Sequence, residues 1–110
     1  MNKIAFSVQG EGWDALINQK FGRADGFALY DPENDILTYH SNTTNLNAEH
    51  GVGIQTAQFV VSLGANTVVT GGNVGPKATE VLKHAGIKII EFAGEVTVKE
   101  AYNKFFGNNK

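Results

Sequence analysis

The sequence predicts an α/β fold in which a mixed five-stranded sheet is covered by helices on its faces. Short apolar runs come first, helix-length amphipathic segments alternate with further apolar runs from residue 48 onward, and a five-residue polar turn separates two neighbouring strand-like runs. The predicted order is β-β-β-α-β-α-β-α. Strands joined through helices run parallel and strands joined by a short turn run antiparallel, so the sheet is mixed. With 110 residues and 42% hydrophobic content, we expect one domain over residues 1–110.

The first three predicted elements are strands. Residues 3–8 form an apolar run that precedes a polar, glycine-containing stretch, and we expect this strand near the centre of the sheet. Residues 27–30 and 36–40 are predicted to pair as an antiparallel hairpin. In the turn between them, Pro32 fixes φ and Asn34 tolerates a tight turn.

The hydrophobic period then changes to that of a helix. We predict a helix over residues 48–63 with Asn47 as its N-cap. Its sheet-facing side consists of small and apolar residues, namely Gly53, Ala57, Val60, Val61 and Gly64.

Two further strands and two further helices complete the fold. Residues 67–70 and 88–91 are predicted strands. Pro76 opens a helix that ends at Gly86, and its apolar stripe is Ala78, Val81, Leu82 and Ala85. Thr97 and Glu100 have the spacing of a capping box, which predicts that a last helix begins there.

Composition and charge exclude several classes of function. The net charge of -2, from 9 basic and 11 acidic residues, gives no field that would collect nucleic acid. No apolar run reaches the roughly 18 residues needed to span a bilayer, and the N-terminal segment does not resemble a signal peptide, so we expect a cytoplasmic protein without a membrane partner. Because the chain has no cysteine and Met1 is its one methionine, a metal would have to be held by imidazole, carboxylate or backbone groups.

A glycine-rich turn between a predicted strand and a predicted helix is the best candidate for contact with an anion. Gly72, Asn73 and Gly75 lie in this turn, and Lys77 follows in the first turn of the helix. Backbone N–H groups and the positive end of a helix favour negative charge at such a turn. The turn matches neither the P-loop nor the dinucleotide-binding pattern. The alternative is that the glycines only allow the chain to turn tightly.

His50 is the candidate metal ligand. It would lie in the first helical turn, where free N–H groups disfavour an imidazolium and keep the ring neutral. The neighbouring Gly51 and Gly53 each cost a helix roughly 1 kcal/mol relative to alanine, so we expect a strand or a ligand to approach closely there. Alternatively, His50 only satisfies surface polarity at the start of the helix. His40 and His84 are expected to be structural or solvated.

Arg23 is the remaining candidate for an anion contact. It lies in a glycine-containing loop before a predicted strand. A guanidinium at that position suits either a bound anion or a local ion pair with Asp25 or Asp31, and the sequence leaves both open.

No sequence motif indicates catalysis. None of Ser7, Ser41 and Ser62 lies in a Gly-x-Ser-x-Gly elbow. The predicted first strand carries no carboxylate of the kind that two-metal nuclease chemistry requires. We therefore expect a binding protein and not an enzyme.

Four segments together resemble the dinitrogenase iron-molybdenum cofactor biosynthesis family. They are FGRADGF at residues 21–27, EHGVGIQ at 49–55, VTGGNVGPKA at 69–78 and LKHAGIKI at 82–89, and the resemblance covers nearly the whole chain. It implies a ribonuclease H-like fold. For NifX-type members it also implies a carrier of iron-molybdenum cofactor, or of its iron-sulfur precursor, during nitrogenase assembly.

Two functional hypotheses follow. In the first, the chain carries an iron-sulfur or iron-molybdenum cluster between donor and acceptor proteins, with His50 as metal ligand and the other cofactor-binding residues as charge complement: Arg23, Gly51, Gly72, Asn73, Gly75 and Lys77. In the second, the chain is a protein-protein interaction or regulatory module without a cofactor. The cargo and the oligomeric state stay open at this point.

The ligand hypothesis predicts that His50→Ala loses bound iron while the fold survives, and that His40→Ala and His84→Ala lose less. Iron per folded protein, measured anaerobically, checks this. Retention of iron should also decrease when the pH is lowered below the pKa of the His50 ring, near 6.5 or lower, because protonation removes the coordinating lone pair. Equal retention by the three variants, or retention that is flat from about pH 5 to 8, would show carriage by charge and amides alone.

Overall fold

The protein is described by a computed structural model that covers residues 2–43 and 51–107. The strands in this part of the chain are β1 (Ile4–Val8), β2 (Gly26–Asp31), β3 (Ile36–Ser41), β4 (Thr67–Val69) and β5 (Lys88–Ile90). The helices are α1 (Val52–Ser62), α2 (Pro76–His84) and α3 (Val98–Phe106). None of these helices has the length and apolarity needed to cross a membrane.

The five strands form one mixed sheet in the order β3-β2-β1-β4-β5. β1 pairs antiparallel with β2 and parallel with β4, and its register aligns Phe6 with Ala28 on one side and with Val69 on the other. β2 pairs antiparallel with β3, while β4 pairs parallel with β5. The predicted central first strand and the predicted hairpin are therefore confirmed.

The sheet separates two apolar cores, and successive side chains of β1 contribute alternately to one core and the other. Ala5 belongs to the core beneath α1 and α2, whereas Ile4 and Phe6 belong to the core beneath α3. Helices thus cover both faces, which is the predicted three-layer arrangement. On the α3 side, the rings of Tyr30 and Tyr102 meet edge to face with centroids 5.1 Å apart.

α1 begins later than the sequence predicts. Gly51 is its N-cap and has φ 71°, a left-handed conformation that cannot lie inside a helix, so α1 begins at Val52 instead of residue 48. Asn47, the predicted cap, lies outside the described residues. Ala57 and Val60 face the core as predicted, but Val61 and Gly64 are exposed because the buried stripe runs through Thr56 instead.

The hairpin turn differs from the prediction in one residue. Asp35, and not Asn34, adopts the left-handed conformation, with φ 54°. Its carboxylate accepts a hydrogen bond of 2.7 Å from the hydroxyl of Tyr30, which holds that conformation. Asn34 instead donates its side-chain amide to Asp31, and this hydrogen bond lowers the pKa of the Asp31 carboxyl.

The last helix begins with the predicted capping box. The hydroxyl of Thr97 accepts from the backbone N–H of Glu100, and the Glu100 carboxylate accepts from the backbone N–H of Thr97. These hydrogen bonds lower the pKa of Glu100 below its usual 4.5. Because the folded pKa is the lower one, the stabilisation is present above the usual pKa and is lost as the pH falls through the folded value.

α2 starts at Pro76 as predicted, and its buried stripe generates a stability prediction. Leu82 is fully buried between α2 and the sheet, whereas Ala85 lies past the end of the helix and is exposed. Leu82→Ala should lower the free energy of unfolding by about 2–5 kcal/mol because it leaves a cavity. Urea denaturation checks this, with Val61→Ala as the exposed control on α1. A loss no larger than that of the control would contradict the assigned core.

Candidate functional site

Three segments of the chain meet at one edge of the sheet. β1 and β3 both run antiparallel to β2, and β4 runs parallel to β1, so these three strands point the same way. The segments that leave their carboxyl ends therefore emerge at the same edge. β1 and β4 also form a switch point of the sheet, because the strands that follow β1 in sequence lie on one side of this pair and the strand that follows β4 lies on the other, and open α/β sheets bind ligands at the carboxyl ends of strands at such a point.

A pocket of about 380 Å³ opens at this edge. Its walls come from the loop after β1, the first turn of α1 and the loop and first turn that lead into α2. The lining residues are Phe21, Gly22, Gly51, Val52, Gly53, Ile54, Asn73, Gly75, Pro76, Lys77 and Ala78.

Two helix N-termini converge on the pocket. The first hydrogen bonds inside α1 and α2 are donated by Gln55 to Gly51 and by Thr79 to Gly75, both at 2.9 Å. The N–H groups that precede these bonds have no acceptor within their own helix. They belong to lining residues, namely Val52, Gly53, Ile54, Lys77 and Ala78.

Neither helix N-terminus is capped by a side chain in the part of the chain that the structure describes, although the Glu91 carboxylate accepts a hydrogen bond of 2.7 Å from the backbone N–H of Val74, one residue before the N-cap of α2. Gly51 and Gly75 are the N-caps, neither helix receives a side-chain capping bond, and neither first turn contains an acidic residue. Each N-terminus carries the equivalent of roughly half a positive charge. The pocket therefore combines two partial positive charges with the ammonium of Lys77.

The remaining lining side chains are mostly apolar. Apart from Lys77, Asn73 is the polar side chain of the wall, and both residues are exposed at the mouth. Within residues 2–43 and 51–107, no three His, Asp or Glu side chains are placed to hold a metal ion together. The described groups that face the pocket are thus amide donors, one cation and hydrocarbon.

The glycines of the loop before α2 have different roles. A Cβ on Gly71 would lie 3.1 Å from the carbonyl oxygen of Asn18, and a Cβ on Gly72 would collide with the backbone of Gln19. These two glycines allow the loops to pack against each other. By contrast, a Cβ on Gly75 would meet nothing within 4 Å, and Gly75 lines the pocket.

The close approach predicted at the start of α1 is made by another loop. A Cβ on Gly22 would lie 3.2 Å from the Cα of Gly53, so the backbones of these two residues are in direct contact. A Cβ on Gly53 would lie 3.6 Å from the methyl carbon of Ala78, an ordinary van der Waals distance. Gly22, Gly53 and Ala78 therefore tie the three walls of the pocket together.

The structure brings together four of the seven residues proposed from sequence as cofactor-binding. Gly51, Asn73, Gly75 and Lys77 all line the pocket. Gly72 is half-buried against Gln19 and does not line the pocket. Arg23 does not line the pocket, and His50 lies outside the described residues.

Arg23 is exposed and directly follows the lining residue Gly22. It forms no ion pair with Asp25 or Asp31, all three being within the described residues. The anion contact therefore stays a prediction, and the local ion pair does not form. His50 lies outside the described residues, so its role as metal ligand also stays a prediction.

Sequence reasoning missed the hydrocarbon wall and the loop after β1. The missed lining residues are Phe21, Gly22, Val52, Gly53, Ile54, Pro76 and Ala78. Strand direction was the available signal, because segments that follow parallel strands emerge at one edge. Phe21 also lies in the core, where its ring packs edge to face on Phe27 with centroids 5.5 Å apart.

Comparison with known proteins agrees with this architecture. The family model for dinitrogenase iron-molybdenum cofactor proteins matches residues 2–108. The chain belongs to this family. Among curated proteins, an uncharacterized protein from Methanocaldococcus jannaschii is 30% identical over 105 residues, which cover 94% of this chain and 84% of that protein.

Solved structures show the family fold directly. The apo form of the orange protein from Desulfovibrio gigas is 37% identical and superposes with a TM-score of 0.92, covering 97% of this chain and 88% of that one. A NifB-like protein from Thermotoga is 32% identical with a TM-score of 0.82, covering 98% and 90%. The ribonuclease H-like mixed sheet expected from the family resemblance is thus confirmed.

Proposed function

We propose that this member of the dinitrogenase iron-molybdenum cofactor family is a small carrier that binds an iron-sulfur or iron-molybdenum cluster, or its precursor, as an anion in the pocket. The observation that carries the proposal is the convergence of the N-termini of α1 and α2 beside Lys77. Family membership and the likeness to the orange protein and the NifB-like protein support a cofactor-binding role.

The electrostatics of the pocket suit an anion that accepts several hydrogen bonds. An anion at one helix N-terminus gains about 0.3–1 kcal/mol, and up to about 2 kcal/mol in a partly buried setting. Two such ends and a lysine together favour an anion over a neutral ligand of the same shape by several times RT. Sulfide and thiolate ligands on a cluster would accept from the N–H groups of the two first turns.

The hydrocarbon wall selects a bulky, weakly hydrated anion. The side chains of Phe21, Val52, Ile54 and Pro76 give an entering ligand no hydrogen bonds in exchange for lost water. A small oxyanion such as phosphate loses strong hydration there, whereas a sulfide-rich cluster loses less. The volume of about 380 Å³ lies in the range of small-molecule sites, which run from about 300 to 1,000 Å³.

Binding a cluster through charge and backbone N–H groups suits its transfer from one protein to another. A cluster that keeps its own ligands leaves without breaking a protein-metal bond, so it passes from a donor protein to an acceptor protein without any reaction catalysed by the carrier. His50, if it ligates the metal, would add one exchangeable bond to this arrangement. We therefore propose a non-enzymatic role with cluster donor and acceptor proteins as partners.

One observation favours the alternative role of an interaction module. Phe92 is 71% exposed and has φ 60°, a conformation that is rare for a bulky residue. Strained, exposed aromatic residues concentrate at functional surfaces. Anaerobic incubation with an extracted cluster source followed by gel filtration separates the two roles, because iron that migrates with the protein supports the carrier and its absence favours the module.

A charge variant tests the pocket. The probe is a water-soluble synthetic four-iron four-sulfur cluster with thiolate ligands, a dianion, and its dissociation constant is measured anaerobically. Lys77→Gln should weaken binding roughly tenfold, since a charge-assisted hydrogen bond contributes about 1.5–3 kcal/mol before solvent screening. Lys83→Gln is the matched control, because Lys83 lies in the last turn of the same helix and is exposed.

Added salt should weaken binding to the wild-type protein more than binding to the Lys77→Gln variant, because screening acts on the charge that the variant lacks. No measurable binding to the wild-type protein, or equal loss in the two lysine variants, would contradict the proposed site.

A further inference from the structure

We infer that Asn42 and Thr56 are positioning residues, which clamp the loop of Arg23 so that its guanidinium stands at the rim of the pocket. The identity of the ligand that Arg23 contacts rests on the proposed function, whereas the clamp itself rests on the geometry alone. Neither Asn42 nor Thr56 lines the pocket, and both side chains are fully buried.

The clamp consists of hydrogen bonds that converge on the backbone on either side of Arg23. The side-chain amide of Asn42 donates to the carbonyl oxygen of Gly22 at 3.3 Å and to that of Ala24 at 3.1 Å. The backbone N–H of Asn42 donates to the carbonyl oxygen of Asp25 at 2.9 Å. One residue at the end of β3 thus holds three carbonyl groups of the loop.

Thr56 completes the clamp from α1. Its hydroxyl donates to the carbonyl oxygen of Gly22 at 2.9 Å and accepts from the Asn42 amide at 3.3 Å. The carbonyl of Gly22 therefore receives two donors, one from β3 and one from α1. Because both donors are fully buried, this oxygen points into the protein and away from the pocket that Gly22 lines.

This orientation matters for an anion site. A carbonyl oxygen carries the negative end of the peptide dipole, so a carbonyl turned into the pocket would repel an anionic ligand. The clamp removes that repulsion and fixes a tight turn in which the N–H of Ala24 donates to the carbonyl of Phe21 at 3.3 Å. Arg23 lies inside this turn, exposed and not paired with Asp25 or Asp31, so its side chain is available to a ligand at the adjacent mouth.

Limited proteolysis tests the clamp without any ligand. Trypsin cleaves after Arg23 only when the loop opens, and cleavage after Lys99, on α3 across the sheet, reports global unfolding. Thr56→Val keeps the shape of the side chain and removes the hydroxyl, whereas Thr56→Ser keeps the hydroxyl.

Thr56→Val should raise the rate of cleavage after Arg23 about tenfold relative to cleavage after Lys99, which is the factor expected for one lost hydrogen bond. The Thr56→Ser variant should be cleaved at the same rates as the wild-type protein. A uniform increase at both sites, or no increase, would overturn the clamp.

A double-mutant cycle tests the function of the clamp. With the synthetic cluster dianion as probe, Arg23→Gln and Thr56→Val should each weaken binding about tenfold, and the double variant should be hardly weaker than either. Full additivity, a hundredfold loss, would overturn the inference, because the clamp would then act independently of Arg23.

The two ways of failing are distinguishable. A wild-type protein that does not bind the cluster contradicts the proposed function and with it the role of Arg23, while the cleavage pattern still decides whether Asn42 and Thr56 fix the loop. If the wild-type protein binds the cluster but the Thr56→Val variant is cleaved in the same pattern as the wild-type protein, the clamp is contradicted and the carrier role is not.

Discussion

The meeting of two positive helix ends is the constraint on which the rest of the structure depends. The first turns of α1 and α2 lie next to each other at Gly53 and Ala78, where a Cβ on Gly53 would lie 3.6 Å from the methyl carbon of Ala78, and like partial charges so near to each other repel. The packing beneath them opposes that repulsion, since Ala57 and Leu82 join one apolar core against the sheet. A bound anion would relieve the repulsion, so a cargo of this charge would also stabilise the fold.

The loops around the pocket are held by backbone contacts and buried polar groups. Gly71 and Gly72 lie against the loop after β1, and the hydroxyls of Ser7 and Thr70 meet at 2.9 Å beneath them. Asn42 and Thr56 hold the opposite wall in the same way. The core packs the helices onto the sheet, and these polar contacts set the shape of the opening between them.

Much of the fold was predictable because its signals are local. The hairpin, the Pro76 start of α2 and the Thr97 capping box each depend on residues that are neighbours in sequence. The start of α1 was not predictable in this way. A left-handed glycine at position 51 caps α1, and its backbone angle cannot be read from a helical pattern that runs on through it.

The candidate site was only partly predictable for a related reason. Lys77 and Gly75 belong to a strand-turn-helix pattern with a known affinity for anions, whereas Gly22 and Gly53 follow β1 and β3 and become neighbours only in the folded sheet, where β2 pairs with both strands. Asn42 gave no signal in the sequence, because its amide acts on carbonyl groups far away along the chain.

The most direct test of the account is an amide NMR titration of the wild-type protein with the synthetic cluster dianion. We expect the signals of Val52, Gly53, Ile54, Lys77 and Ala78 to change together with one dissociation constant, and the signals of α3, on the other face of the sheet, to stay in place. Changes centred on α3, or changes at one of the two helix ends without the other, would contradict it.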